Sequence, residues 1–409
     1  MLTMRRVVIL SIVAVGVFSV WLTVGAEAQK PGAEPAGRLK LPGARAEINA
    51  AEFASLQAAL DALPADGGVV RIPPGTFEID RPLVLSRSDV LIQGSGTATH
   101  IKNVNTAGQS ALVLRHPDGA KVKANDKLWR IMVSNLRITG NEKSGHGLEA
   151  IQINELFLQG VTVSYHGGDG IRMDNCYEDP RINDCLITYN KQTGLNLIGC
   201  HDIVVSSNQF EENRDALHCF DGFNLCLTGN CMDDHLGDGV VIENTYGSVL
   251  SGNMIEECDG RAIVLDRDCY GITLSANVIA HNGGGIDLID AHGCAVSANT
   301  FVLLKLPPKA KDGTQPAQLQ TRCLRIAKES SRIAVTGNSF CDSYIGEGAV
   351  KRKVDDQLAG GIVLEGTRDI AITGNTFSSV PKALELREPK SERVLFSNNV
   401  LIDSPSDLE

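Results

Sequence analysis

The sequence lacks the short motifs that carry nucleotide and zinc chemistry. It contains no P-loop, no GxGxxG segment opening a helix after a strand, and no zinc signature. Positive charge is also scarce: the chain has 38 lysines and arginines and 49 aspartates and glutamates, which gives a formal net charge of −11. An acidic surface argues against nucleic acid and against anionic membranes as partners.

The N-terminal segment has the pattern of an export signal. Two arginines precede an uninterrupted apolar run over residues 7–24, and the small-x-small sequence Ala26-Glu27-Ala28 follows. We expect a signal peptide over residues 1–28, a disordered leader over residues 29–46, and a secreted or periplasmic mature protein without membrane contact. The alternative is a retained anchor, because the apolar run is near the lower length limit for crossing a bilayer.

Helical spacing of apolar residues is missing from the repeat that fills most of the chain, and a β-repeat is present instead. The pattern apolar-x-x-Asn-x-apolar recurs at steps of 22–24 residues, apart from two long steps of 39 and 37, and its register extends upstream through Cys185, Val161 and Leu136 at steps of 23–25. A second short strand in each repeat opens with a small residue and alternates in polarity. Leucine-rich repeats are excluded as the rival fold, since their leucine framework and regular helix are absent. The repeated asparagines are Asn208, Asn230, Asn253, Asn277, Asn299, Asn338, Asn375 and Asn399.

These repeats predict an all-β fold, a single-stranded right-handed parallel β-helix of about a dozen rungs over residues 47–403, with residues 404–409 as a tail. The asparagines should stack in file, tolerate left-handed geometry and bond to one another through their amides. Cys176 and Cys200 should lie on adjacent rungs, as an apolar thiol stack or as one disulfide. The chain has 11 cysteines and no Cys-x-x-Cys pair, which argues against a redox or zinc site.

The segment before the repeats predicts a cap. Residues 51–63 carry an apolar stripe typical of an amphipathic helix, which would cover the open end of the solenoid. Together with the Gly67–Gly75 run, Ile92-Gln93-Gly94 and the Asn-marked coils, this segment resembles the pectate-lyase-like β-helix superfamily. The resemblance implies the fold, but it covers lyases, glycoside hydrolases, epimerases and inactive modules alike.

Candidate active-site residues in a stacked solenoid are found by aligning the rungs, because equivalent positions on neighbouring rungs form columns with a spacing of about 4.8 Å. Four or five consecutive rungs present ionisable side chains around the second strand, a mixture suited to acid–base work on a bound chain. The catalytic candidates are His146, Asp169, Arg172, Asp215, His218 and Asp238, with Arg172 neutralising a substrate carboxylate or developing enolate and the others as acids or bases. The substrate-binding candidates on the same stripe are Glu149, Asp174, Asn196 and Glu243.

Two details qualify this stripe. Asp215 and Asp238 fall on adjacent rungs, close enough to share a proton. No metal ligand set is predicted; calcium is a candidate cofactor at the aspartate column, although no bidentate loop motif requires it.

The competing interpretation of the stripe is structural. Asp and His before Gly are common turn residues, and outward positions of a solenoid are solvated by default. His235 and His281 are expected at the surface. Two inserts, Leu303–Arg322 and Asp342–Gly360, leave the solenoid at the turn that carries the candidate aspartates, and we expect them to wall the far end of a groove.

Motifs of particular pectate-lyase-like enzymes match only in part. Gly145-His146-Gly147 is similar to one polygalacturonase motif, but it precedes Gly237-Asp238-Gly239, and the Asn-Thr-Asp and Arg-Ile-Lys segments are absent. Asp179-Pro180-Arg181 departs from the Asp-Pro-His segment of alginate epimerases at the histidine. These departures leave the activity undecided among lyase, epimerase and hydrolase.

The sequence therefore predicts a secreted β-helix that binds an extended polysaccharide along one flank. As an enzyme, it would be a lyase, epimerase or hydrolase of uronic-acid-containing or related glycans. The competing prediction is a non-catalytic structural or adhesive module at the cell surface.

Overall fold

Each repeat supplies three short strands separated by turns, and the strands of successive repeats pair in parallel. The computed structural model describes residues 41–123, 126–302, 323–341 and 360–408. From Arg45 on, these residues form one unit, and before it Leu41 accepts the backbone N–H of Ala44 in a turn. The expected signal peptide lies outside the described residues, and so do nearly all of the two inserts.

The strands form three ladders that run the length of the solenoid. The first ladder precedes the asparagine turn, the second follows it, and the third carries the candidate site. The first and second ladders merge into one 27-stranded sheet, because the strands Leu128–Thr139 and Ile153–Ser164 run through both, and the third ladder is a separate 12-stranded sheet. The prediction of about a dozen parallel rungs is confirmed.

The first ladder contains Ala46–Asn49, Gly68–Arg71, Val90–Gln93, Leu128–Thr139, Ile153–Ser164, Arg181–Asn183, Val204–Ser206, Cys226–Thr228, Val249–Ser251, Thr273–Ser275, Ala295–Ser297, Ser331–Thr336, Arg368–Thr373 and Glu392–Ser397. The second ladder adds Gly75–Ile79, Thr99–Asn103, Leu186–Thr188, Gln209–Glu211, Cys231–Asp233, Met254–Glu256, Val278–Ala280, Thr300–Val302, Ser339–Cys341, Thr376–Ser378 and Val400–Ile402. The third ladder contains Leu83–Leu85, Leu112–Arg115, Leu148–Ile151, Ile171–Asp174, Leu195–Ile198, Leu217–Phe220, Val240–Glu243, Arg261–Asp266, Gly284–Leu288, Leu324–Ile326, Ile362–Glu365 and Leu384–Arg387. Two short strands, Cys269–Tyr270 and Ala291–His292, lie between the third and first ladders.

The core is a set of files of apolar side chains inside the coils. The alternating positions of the third ladder point inward and are fully buried, as the sequence predicted. Phe301, Phe340 and Phe377 stack inside the solenoid with ring centroids 4.6 and 4.7 Å apart. These interior residues of the third ladder are Ile171, Leu195, Leu217, Val240, Ile263, Ile286, Ile362 and Leu384.

The asparagine ladder is present and buried. From Asn208 to Asn399, each side-chain Nδ2 donates to the Oδ1 of the next asparagine at 2.9–3.0 Å, and the same Oδ1 accepts the preceding asparagine's backbone N–H. We expected the asparagine itself to adopt the left-handed conformation, but the residue before it does so. These preceding residues have φ between 54° and 68° and are Ser207, Gly229, Gly252, Ala276, Ala298, Gly337, Gly374 and Asn398.

The N-terminal cap is a short helix. Residues Leu56–Asp61 form an α-helix that begins at Ser55, whose hydroxyl accepts the N–H of Ala58, and a 3₁₀ turn over Ala50–Glu52 precedes it. The helix is therefore shorter than the expected 51–63 span. No helix among the described residues is long and apolar enough to cross a membrane.

Both ends of the third ladder are covered. Gln57 of the helix bonds both backbone groups of Val84 in the first strand, at 2.8 and 3.0 Å. At the other end Ser406 bridges Leu384 of the last strand, so residues 404–408, expected as a tail, lie along that edge. Each end thus pairs backbone groups that would otherwise be open to another chain.

Candidate functional site

The third-ladder face consists of the outward side chains of the third ladder. Backbone pairing places Glu149, Arg172, Asn196 and His218 in one file on consecutive rungs. Asp174 lies one outward position further along its strand and is bonded by the Nδ2 of Asn175 at 2.5 Å. The register inferred from the sequence is therefore present in the structure.

Asp169 is the centre of a first cluster. Its side chain is only 7% exposed, and its two oxygens accept the backbone N–H of Thr193 at 3.1 Å and the Nδ2 of Asn196 at 3.0 Å. Arg172 lies 3.8 Å from the same carboxylate. This carboxylate is thus held by three groups at once, an arrangement that fixes the turn and orients Asn196 and Arg172.

His146 has its Nδ1 committed to the backbone. That nitrogen accepts the N–H of Asp169 at 2.9 Å, which requires it to be unprotonated. The 3.4 Å contact between Nδ1 and the Asp169 carboxylate is therefore not a charge pair in this tautomer. Only the Nε2 atom of His146 remains available to exchange a proton with a ligand.

Asp215 and Asp238 repeat this capping role on later rungs. An oxygen of Asp215 accepts the N–H of Asp238 at 2.9 Å, and an oxygen of Asp238 accepts the N–H of Arg261 at 2.6 Å. Arg214 pairs with Asp215 at 2.7 Å and Arg261 with Asp238 at 2.8 Å. Each carboxylate thus has its own arginine and its own amide, which favours the turn-residue interpretation over a shared proton.

His218 and Glu243 form a second cluster. The Nε2 of His218 lies 2.8 Å from a carboxylate oxygen of Glu243, and the side chains are 28% and 16% exposed. Arg267 pairs with the other Glu243 oxygen at 3.1 Å and lies over the ring of Phe220. Glu243, predicted as a substrate contact, is thus positioned to orient His218, while Glu149 at the other end of the file accepts the hydroxyl of Ser110 at 3.0 Å.

A chain of ion pairs continues the face toward the C-terminus and was missed from the sequence. Asp287, with 2% of its side chain exposed, pairs with Arg261 at 3.1 Å and with Arg325 at 2.8 Å, and Arg325 reaches Glu365 at 3.1 Å. Asp287 and Arg325 occupy the same position of the strand as Arg172. Val241 and Val264 occupy this position on the two rungs between His218 and Asp287, so the file of ionisable residues is interrupted in the sequence.

The surface prediction is wrong for His235, which is 1% exposed. His235 and the equally buried His166 belong to a second interior polar file with Asn190 and Asn213. Burial lowers the pKa of each histidine to about 4. His281 is also largely buried and lies 2.9 Å from Glu256.

The nine cysteines from Cys176 to Cys294 are free thiols, most of them buried. Burial raises the pKa of Cys185, Cys219 and Cys269 to about 12, so these thiols are poor nucleophiles. Cys176 and Cys200, both fully buried, follow the thiol-stack alternative.

Groups able to hold a metal ion lie away from the predicted aspartate column. Among the described residues, three sets of carboxylates and histidines place their ligand atoms within 4.8 Å of one another. None of these three sets contains Asp169, Asp215 or Asp238. They are Glu256, Glu257 and His281; Asp268, Asp290 and His292; and Asp233, Asp234 and Glu257.

A column of aromatic side chains borders the third-ladder face at the turn that follows it. This aromatic column consists of Tyr177, His201, Phe223, Tyr246 and Tyr270, with successive ring centroids 4.2, 4.6, 6.1 and 5.5 Å apart. Its members recur at steps of 22–24 residues. This spacing is visible in the sequence, but a search for ionisable residues overlooks it. Lys127 caps the first ring, with its Nζ 3.3 Å from the ring centroid of Tyr177.

The Asp179-Pro180-Arg181 segment lies at a surface cavity of about 420 Å³. Asp179 and Arg181 line it together with Arg130 and Glu155, and the Arg181 guanidinium lies 5.1 Å from the ring centroid of Phe157. A stacked arginine thus occupies the position where the Asp-Pro-His segment has its histidine.

A family model described as "Right handed beta helix region" matches residues 86–224 and 122–301, which together span more than half of the chain. The chain belongs to the right-handed β-helix family. Its resemblance to pectate-lyase-like proteins is thereby confirmed at the level of the fold. No curated protein matches the sequence of this family member.

Solved structures of low sequence identity share the β-helix fold. The A-module of the Azotobacter vinelandii mannuronan C-5 epimerase AlgE6 is 17% identical, with a TM-score of 0.56, over 87% of this chain and 99% of that one. A DFA-IIIase mutant from Arthrobacter chlorophenolicus in complex with DFA-III is 10% identical, with a TM-score of 0.59, over 86% and 99%. A mutant of the periplasmic alginate epimerase AlgG is 12% identical, with a TM-score of 0.52, over 88% and 84%. At these identities the likeness shows the fold alone.

Proposed function

We propose that the protein binds an extended polysaccharide along the third-ladder face and acts on it with His218 as the acid–base group. The observation that carries this proposal is the file of Arg172, Asn196 and His218 on consecutive rungs, each side chain partly exposed. A polymer lying along the solenoid axis would meet all three residues, because rungs are about 4.8 Å apart.

The chemistry follows from the charges on this file. Arg172 would neutralise the carboxylate of a uronic-acid unit or the enolate that forms when the proton beside that carboxylate is removed. His218, oriented by Glu243, would take or return the proton. Reprotonation of the same carbon by water from the opposite face gives an epimer. Cleavage of the neighbouring bond from carbon to the glycosidic oxygen, with the protonated histidine giving its proton to the leaving sugar oxygen, gives an unsaturated end. Arg172 and His218 would therefore serve either outcome.

Two further findings support a glycan ligand and an exported location. Two of the similar structures are described as a mannuronan C-5 epimerase and a periplasmic alginate epimerase. The export pattern of residues 1–28 agrees with the location stated for the second.

The second candidate function, a non-catalytic structural or adhesive module, has its own supporting observation. Asp169, Asp215 and Asp238 each accept a backbone N–H of the next rung. For these three of the six catalytic candidates, a structural role alone is enough to explain the residue. In this function the third-ladder face would contact a polymer without changing it.

The deciding experiment is a polysaccharide panel that includes uronans, assayed for near-ultraviolet absorbance of unsaturated ends, for new reducing ends, and by NMR for epimerised units. Arg172→Ala and His218→Ala should abolish turnover. Arg393→Ala, at an exposed arginine of the first ladder paired with Asp369, should not. Turnover retained in the His218 variant would remove His218 from the chemistry, and no turnover by the wild-type protein on any polymer would turn the conclusion to the adhesive module. Parallel assays with EDTA test the calcium prediction.

A further inference from the structure

The aromatic column has a break at Phe223. Tyr177 and His201 stack with an interplanar angle of 24°, and Tyr246 and Tyr270 stack at 5°. Phe223 lies between these pairs, turned by 60° from His201 and by 52° from Tyr246. The stacked pairs cover their ring faces with one another, whereas the turned Phe223 leaves part of its face uncovered.

The rings around this break are exposed. Phe223, Tyr246 and Tyr270 have 43%, 51% and 44% of their surface in water. Three adjacent exposed aromatic residues form an apolar patch, and such a patch marks an interaction site more often than an isolated apolar residue does. Within the described part of the chain, neither tyrosine hydroxyl makes a hydrogen bond to the protein. These hydroxyls therefore remain able to bond a ligand.

Aspartates and asparagines lie next to the break in the sequence. Asp202 accepts the Nδ2 of Asn224 at 2.8 Å, and Asp221 accepts the Nδ2 of Asn244 at 2.5 Å. Carboxylates accept, and amides both donate and accept, which suits the hydroxyl groups of a neutral ligand. A polyanion would instead meet two carboxylates, and the chain already carries a net charge of −11.

The column is continuous with the third-ladder face. Phe220 ends the strand that carries His218, and Phe223 follows in the next turn. Arg267 lies over Phe220 and pairs with Glu243, the partner of His218. The column therefore runs beside the third-ladder face, parallel to a polymer bound along it.

We infer that the aromatic column is a binding subsite for neutral sugar units of a polysaccharide, with the apolar face of one sugar on Phe223 and its hydroxyls on Tyr246, Tyr270 and the flanking Asp and Asn side chains. This inference rests on the proposed function for its ligand class. It adds a subsite that recognises uncharged sugars, beside the third-ladder face that would hold a carboxylate at Arg172. Aromatic rings with a few placed polar groups are the usual lining of such sites.

The test is affinity electrophoresis of the full chain in gels containing neutral glucan, mannan, xylan or fructan, beside gels containing a polyuronate. Phe223→Ala should weaken retention by a neutral polymer by about tenfold, and Tyr246→Phe, which removes only a hydroxyl, by about threefold. Tyr165→Ala is the matched control, because Tyr165 is 55% exposed and stacks on Tyr189 at 5.0 Å on another turn. That control should retain wild-type binding.

The inference is overturned if Phe223→Ala and Tyr165→Ala lower the melting temperature alike while neither changes retention, since the column is then only structural. It is overturned equally if no neutral polymer retains the wild-type protein, or if a single-stranded oligonucleotide binds in its place and competes at Phe223. Failure of the proposed function looks different, because retention by a neutral polymer would then persist, with its dependence on Phe223, in a protein that turns over no polysaccharide.

Discussion

His218 lies 2.8 Å from Glu243, although the two residues are 25 positions apart and on neighbouring rungs of the third ladder. The contact joins an imidazole to a carboxylate that is itself held by Arg267. The proposed function requires this pair to orient the ring toward a ligand.

Replacing Glu243→Gln keeps the shape of this side chain but removes its charge. We expect turnover of the polysaccharide on which the wild-type protein acts to fall about 10- to 100-fold, because the histidine loses the charged partner that orients it. Polymer retention should stay at the wild-type level. Steady-state rates together with affinity electrophoresis check this, with Glu392→Gln at an exposed glutamate of the first ladder as control. Equal turnover in the two variants would remove Glu243 from the site.

Replacing Asn253→Ala interrupts the asparagine ladder in its middle. The variant removes the acceptor of the Asn230 backbone and side chain and the donor to Leu227, and these groups are buried. We expect the free energy of unfolding to fall by about 3 kcal/mol, since unpaired buried polar groups cost about 1–3 kcal/mol each. Urea unfolding measures the change. The exposed Gln192→Ala should lose less than about 0.5 kcal/mol. A comparable loss in both variants would show that the asparagine ladder does not stabilise the fold.

Replacing Gln57→Ala opens the N-terminal edge of the third ladder. The backbone N–H and C=O of Val84 lose their side-chain partners, so this edge strand becomes available to another chain. We expect a loss of about 1–2 kcal/mol in unfolding free energy and concentration-dependent self-association by light scattering. Gln192→Ala, at an exposed glutamine, should remain as monodisperse as the wild-type protein. Unchanged scattering in the Gln57 variant would show that this contact does not protect the edge.

The fold was predictable because one residue type marks each coil from Asn208 onward. The regular steps of 22–24 residues between asparagines fix the register, and extending that register upstream aligns Arg172, Asn196 and His218 from the sequence alone. The cap was predicted only approximately, since the capping hydroxyl of Ser55 begins the helix later than the apolar stripe suggests.

The contacts between side chains were not predictable in the same way. Whether Glu243 reaches His218 or a ligand depends on rotamers across two rungs, which periodicity does not encode. The burial of His235 was missed because the second interior file combines two histidines with Asn190 and Asn213, and a file of mixed residue types gives a weaker repeat signal.

These two buried histidines should make stability depend on pH. Their folded-state pKa of about 4 lies below the ordinary value of 6.5, so the unfolded chain binds more protons than the folded one at pH values between them. The stability that each neutral histidine contributes is complete above about pH 6.5 and is lost as the pH falls toward 4. A shift of this size corresponds to about 3 kcal/mol per histidine.

His235→Asn tests this at a position whose neighbour in the same file, Asn213, already uses an asparagine. The variant should fold, and its drop in unfolding free energy between pH 7 and pH 4 should be about 3 kcal/mol smaller than that of the wild-type protein. His116→Asn, at a histidine outside the core with 22% of its side chain exposed, should keep the wild-type dependence. Urea unfolding curves at the two pH values give both quantities. Equal drops in the wild-type protein and the His235 variant would mean that the folded and unfolded chains bind a proton at His235 equally well, so that burial does not lower its pKa.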